Sequence, residues 1–167
     1  MAFIVTFSPE PIFKTSPLPT FFEVKRYRVT VERRKNKYNK LVSLSEAVVV
    51  VKVDDEKKLS ASESMDEVGS DRGPVNALSK ALTKDLGSYQ KLIEDIKLVD
   101  FKVRITQGGT DAVTRVVIDS EDKNGVRWST VGVSPNIVDA SFEALLDAIN
   151  WKLVRDTNTK RKFVITH

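Results

Sequence analysis

Few side chains in this sequence can do acid–base, nucleophilic or metal chemistry. There is no cysteine, and the single histidine is His167, the last residue. No Ser-His-Asp set, thiolate nucleophile or His/Cys zinc site can be assembled from this chain alone. Acids are plentiful, but no two stand out as a pair for general acid–base work. The informative residues are of another kind. Val75, Asn76, Ala77, Lys80, Ala81 and Leu82 lie in GPVNALSKAL, and sixty-three positions later Val138, Asp139, Ala140, Glu143, Ala144 and Leu145 repeat the pattern in PNIVDASFEALL. Both stretches read as helix starts, and the free N–H groups of a helix start are a ready site for an anion.

The elements around these starts are legible from periodicity. VKRYRVTVER (24–33) alternates apolar and charged residues, as a strand with one buried face does. SEAVVVVKV (45–53) is a denser β-branched run, and KKLSASE (57–63) is a weaker third strand. SMDEVGSD is acidic and turn-like. Pro74 suits the first helical position, Val75, Leu78, Leu82 and Leu86 form one stripe, and Gly87 is a stop. YQKLIED (89–95) adds a short helix. LVDFKVRIT (98–106), DAVTRVVIDS (111–120) and VRWSTVGV (126–133) are three further strands, with Asn124-Gly125 marking a hairpin. The last helix starts at Pro135, with Ser134 as cap, and runs to about Val154. Val138, Phe142, Leu145, Ile149 and Leu153 make its stripe, and Ile137, Ala140, Ala144 and Ala148 a second, small-residue flank.

The order is strand, strand, strand, helix, twice. RYRVTV (26–31) matches DFKVRI (100–105), and EAVVVVKVDD (46–55) matches DAVTRVVIDS (111–120). The offset falls from 74 to 65 to 63 residues, and the differences are expected in loops. The expected fold is α+β, a duplicated βββα unit with pseudo-two-fold symmetry, its sheets packed on helices and dimeric. Residues 1–21, with four prolines between 8 and 20, read as a linker or the remnant of one. The domain spans 22–155, with repeats at 22–88 and 96–155, and a basic tail follows at 156–167. Residues 1–8 lack the features of a secretory leader. No apolar run has membrane-spanning length. The missing cysteines suit a cytoplasmic setting. Residues 25–40 carry eight Lys/Arg and one acid. Its RRKNKYNK part (33–40) reads as a solvated loop between two strands, and the run is not read as a nucleic-acid surface, because the cations sit on a strand and loop.

The stretches GPVNALSKAL, VDFKVRI, GTDAVTRVVI and above all RWSTVGVSPNIVDASFEALLDAINWKL resemble the C-terminal regulatory domain of the α-isopropylmalate synthase and citramalate synthase family. YRVTVERR is nearer the citramalate side. The resemblance covers about residues 22–155. It implies a dimerising domain that binds a branched-chain amino acid, isoleucine or leucine, as feedback inhibitor. It also implies a parent acyltransferase whose catalytic barrel, absent here, condenses acetyl-CoA with a 2-keto acid. No cofactor is expected in this chain. The effector would lie near the dimer interface, between the Gly-Pro helix start and the second-repeat strands. At that start Pro74 donates nothing, and Val75, Asn76 and Ala77 have amides for the carboxylate. Asp111 or Asp139 faces the ammonium. Leu98, Phe101, Ile105 and Ala112 line an apolar socket. Motif position adds Gly73, Pro135 and Ile137, and Thr114 is counted with the set.

One departure bears on this site. The family commonly reads Gly-Asn-Gly-Pro where this chain has Asp71-Arg72-Gly73-Pro74. Arg72 either grips the effector carboxylate or fills the pocket. In the second case the domain is a purely structural dimerisation module.

Overall fold

The computed structural model describes residues 21–67, 73–105 and 112–164, with side chains described to residue 64 ahead of the first break and to residue 158 in the last helix. The chain divides into two compact units, Phe22–Gln90 and Lys91 onward. In the first, β1 (Glu23–Lys35), β2 (Leu41–Val53) and β3 (Glu56–Glu67) form an antiparallel sheet in that order, followed by α1 (Gly73–Thr83). A 3-10 turn at Gly87–Tyr89 and the short α2 (Gln90–Ile93) come next. In the second unit β4 (Lys97–Ile105), β5 (Thr114–Glu121) and β6 (Arg127–Ser134) make the same kind of sheet, followed by α3 (Ile137–Val164). The fold is α+β, with one βββα unit written twice.

In the first unit α1 packs on β2 and β3. Ala47, Val49, Val51 and Val53 alternate inward from β2 and are buried, as are Ala77, Leu78, Ala81 and Leu82 of α1. Two left-handed residues, Asp54 (φ 52°) and Asp55 (φ 62°), turn β2 into β3. This is the two-residue hairpin whose twist matches its strands. Asp54 accepts hydrogen bonds from the backbone and hydroxyl of Ser88, each at 2.9 Å, and these hold its carboxyl below the usual range. The β1–β2 connection is only Asn36–Lys40, so the strands extend well into the stretch expected to be loop. Asn36 Oδ1 accepts from the amides of Tyr38 and Lys40 and organises the turn.

The duplication extends to an irregularity. Lys25 bulges from the β1–β2 ladder between Val24 and Arg26, and Val99 bulges from the β4–β5 ladder between Leu98 and Asp100. Tyr27 pairs with Val49 and Phe101 with Ile118. The first strands are therefore offset by 74, as the sequence echo indicated, but the second strands are offset by 69 rather than 65. At this offset Ala47, Val49 and Val51 correspond to Val116, Ile118 and Ser120, all buried.

In the second unit three contacts seat α3 on β6. Trp128 Nε1 donates to the carbonyl of Ala148 (3.2 Å), and Thr130 Oγ1 donates to that of Ala144 (2.7 Å). Gly132 faces Ala140, where a Cβ would lie 1.8 Å from the carbonyl oxygen. Two residues of strand advance about 6.6 Å and four of helix about 6 Å, so the two series stay in step. The small-residue flank at Ala140, Ala144 and Ala148 is what lets the helix approach this closely.

Four local expectations are corrected. β3 continues to Glu67, through part of the acidic stretch expected to turn. α1 ends at Thr83, ahead of Gly87, although Gly87 does take a left-handed φ of 55°. α3 is capped by Asn136, whose Oδ1 accepts from the Val138 amide (2.8 Å), so Ser134 and Pro135 precede the helix. α3 also runs to Val164, through residues expected to be tail. Its extension is anchored by buried charges. Lys152, 2% exposed, lies 2.9 Å from Asp156, 3.1 Å from Asp95 and 3.5 Å from Asp122. Arg155 pairs with Asp122 and Asp156 and lies over Trp128 and Trp151, whose rings stack at 4.8 Å. Among the described residues no helix is long and apolar enough to cross a membrane.

Candidate functional site

The first-unit candidates lie at the start of α1. Gly73 and Val75 are buried there, and Pro74 and Asn76 half-buried. The helix direction is fixed by its far end, since Gly87 lies against Val53 and Asp54 at the β2–β3 turn. The start of α1 therefore lies toward the opposite end of the sheet. There Val31, Ser45 and Ser64 form one rung across β1, β2 and β3. Ser45 is fully buried, and its Oγ has no hydrogen-bond partner among the described residues. An unpartnered buried hydroxyl is costly in a finished core.

The second unit has the corresponding rung, Ile105, Thr114 and Ser134 across β4, β5 and β6. Ile105 is 70% exposed, as its counterpart Val31 is 53% exposed. The structure thus brings Ile105 and Thr114 side by side, with Pro135 and Ile137 following Ser134. Ala112 lies two residues ahead of β5, and Asp139 is half-buried in the first turn of α3. Leu98 is not part of this group. It pairs with Ser120 at the other end of β4, seven residues or about 23 Å from Ile105. Phe101, opposite Ile118, lies between the two. Arg72 and Asp111 lie outside the described residues.

The start of α3 is already capped. Asn136 already accepts from the second amide of α3, and Ser134 Oγ accepts from the Asn136 amide (3.1 Å). Asp147, further along α3, is 8% exposed, and burial beside the negative Glu143 raises its carboxyl to about 6. Elsewhere, a shallow depression of about 350 Å³ on the first sheet is lined by Lys25, Arg26, Val50, Lys57, Lys58 and Leu59. It contains none of the candidate residues. Among the described residues no group of three or more His, Cys, Asp or Glu could hold a metal.

The residues that sequence reasoning missed are Ser45, read only as the start of a strand, and Asn136. A Ser-x-Asn pair ahead of the helix was the available signal for the second.

Two copies of one βββα unit, each a three-stranded antiparallel sheet followed by its helix, define a duplicated α+β domain. The family model described as the LeuA allosteric (dimerisation) domain matches residues 12–153, and the chain belongs to that family. It is 44% identical over 135 residues to the (R)-citramalate synthase of Geobacter sulfurreducens, covering 80% of this chain and 24% of that protein. It is 37% identical over 138 residues to the (R)-citramalate synthase of Aquifex aeolicus, covering 81% and 24%. A probable 2-isopropylmalate synthase of Archaeoglobus fulgidus is 35% identical over 81 residues, 48% of this chain and 15% of that one. The chain thus spans about a quarter of the length of the citramalate synthases it matches.

Proposed function

We propose that this domain, over residues 22–155, forms a homodimer and binds isoleucine or leucine as the feedback inhibitor of a citramalate or 2-isopropylmalate synthase. The observation that carries the reading is the match to an allosteric dimerisation domain over most of the chain. The start of α1 supports it. An amino acid needs donors for its carboxylate, an acceptor for its ammonium and an apolar wall. The first-turn amides of α1 supply donors and the positive end of a helix dipole. The buried Ser45 hydroxyl adds a polar group that lacks a partner among the described residues. Ile105 and Ile137, expected at the site, keep exposed apolar surface, and Asp111 or Asp139 is the carboxylate expected at the ammonium.

The effector acts by favouring one arrangement of the dimer, which the catalytic part of the parent acyltransferase reads. Such a coupling is typically about 1–3 kcal/mol and is reciprocal. Calorimetric titration with L-isoleucine, L-leucine and L-alanine tests the reading. Saturable, roughly micromolar binding of isoleucine or leucine, with a matching rise in Tm, is the expected result. A folded dimer that binds none of the three is a structural module, and the sensing reading fails.

A further inference from the structure

The outer face of the first sheet differs from its counterpart in the second unit. Val49 and Val51 turn toward α1, so Val50 between them turns outward. It lies between Arg26 on β1 and Leu59 on β3. In the second unit the rung at the same place, beside the matching bulge, is Asp100, Asp119 and Ser129. There Lys102 lies 2.8 Å from Asp100 and 3.2 Å from Asp119, and Ser129 Oγ donates to Asp119. That face closes its charges within itself. The first unit has a cation and two apolar side chains where the second has two acids and a hydroxyl.

The bulge gathers cations on the first face. Val50 and Lys52 are two apart on β2, yet their partners Arg26 and Glu23 are three apart on β1, and Lys25 is the extra residue. Lys25 and Arg26 both border the depression of about 350 Å³, together with Lys57 and Lys58 from β3. Its floor is the half-buried Val50 and Leu59, which is 65% exposed. Three of the nearby cations have acids. Glu23 lies 2.6 Å from Lys25, Asp55 3.1 Å from Lys52 and Asp85 3.2 Å from Lys58. Among the described residues no acid forms an ion pair with Arg26 or Lys57. These two flank the floor from strands about 9.6 Å apart across β2.

A purely apolar ligand would leave both cations without a counter-charge, and a bare anion would leave Val50 and Leu59 in water. Two uncompensated cations match a group that carries close to two negative charges, as a phosphate does and a single carboxylate does not. Arginine meets phosphate oxygens in pairs, and lysine meets them as a point charge. The volume suits a small molecule. We propose that this depression binds a small organic phosphate, its phosphate on Arg26 and Lys57 and its carbon skeleton over Val50 and Leu59. The site is separate from the effector reading and does not rest on it.

Calorimetric titration of the full chain with ADP, pyrophosphate and adenosine tests this. ADP is expected to bind saturably, at least about tenfold more tightly than pyrophosphate, which lacks the skeleton, or adenosine, which lacks the phosphate. Arg26→Gln and Lys57→Gln should each weaken ADP severalfold. Leu59→Ser should weaken ADP and leave pyrophosphate unchanged. Lys37→Gln removes the same charge from the β1–β2 turn, outside the depression, and should match the unaltered protein. The three probes on the unaltered chain need no variant, so the test stands if one variant fails to fold. No binding of ADP, pyrophosphate bound as tightly as ADP, or an equal loss in Lys37→Gln and Arg26→Gln overturns the proposal.

Discussion

Gly132 on β6 and Ala140 on α3 meet backbone to backbone. A methyl group on Gly132 would lie 1.8 Å from the Ala140 carbonyl oxygen and 2.8 Å from its carbon. No side-chain rotation relieves that contact, so the helix would have to lift. Lifting it would strain the two hydrogen bonds from Trp128 and Thr130 to the same helix.

Gly132→Ala is therefore expected to destabilise the domain by about 3 kcal/mol or more, read from urea unfolding. Gly125→Ala is the comparison. Gly125 has a φ of 74° but nothing within 4 Å of its would-be Cβ, so only backbone strain applies. That cost is about 1 kcal/mol. Equal losses for the two variants would refute the close helix–strand contact.

Lys152 lies among three carboxylates at 2% exposure. Burial alone would lower its pKa, but hydrogen bonds and charge from Asp156 and Asp95 outweigh burial and raise it. Lys152→Ala leaves buried acids without their cation and should cost about 3–5 kcal/mol. Lys152→Met combined with Asp156→Leu and Asp95→Leu should recover part of that loss. Chemical denaturation of the set checks the order.

Asp122 gives the domain an acid limit. Burial would raise its pKa, but Arg155 and the amides of Val126 and Asn124 hold it at about 2, against 3.8 for an ordinary Asp. Its folded pKa is depressed, so its contribution is present above about pH 4 and is lost as pH falls toward 2. The loss is about 2 kcal/mol. Unfolding midpoints from pH 5 to pH 2 should show this slope, and Asp122→Asn should reduce it.

Asp147 acts in the opposite sense. Its pKa is raised from 3.8 to about 6 by burial, then by Glu143. Between about pH 4 and 6 the unfolded chain ionises while the folded one keeps its proton, so stability falls as pH rises. Above that window the penalty is constant, at about 2–3 kcal/mol. Asp147→Asn should gain most of that at pH 7.5 and nothing at pH 3.5. A gain independent of pH would exclude titration as the cause.

The repeat was legible because periodicity survived in both halves. Tyr27, Val29 and Val31 mark alternate positions on β1, and Phe101, Val103 and Ile105 do so on β4. The offset of the second strands was less legible. Val48 to Val51 is an unbroken run, so letters alone do not fix which residue faces which partner. The error of four residues is even, and every side chain kept its face. The extent of α3 was hidden for another reason. Asp156, Thr157 and Asn158 are poor helix formers, and the partners that hold this turn, Asp95 and Asp122, are remote in sequence. In the sequence the candidate site rests on two helix starts and an apolar strand. Sequence spacing does not show that the nine-residue β4 sets Leu98 about 23 Å from Ile105.

The cap on α3 sets a stoichiometry. The repeats match strand for strand, yet Asn136 and Ser134 already bond the amides that open the second helix. A carboxylate arriving there would have to displace a side chain that is covalently present and always at hand. On the sensing reading proposed above, with the effector at the start of α1, titration should saturate at one amino acid per chain, two per dimer, and not at twice that number.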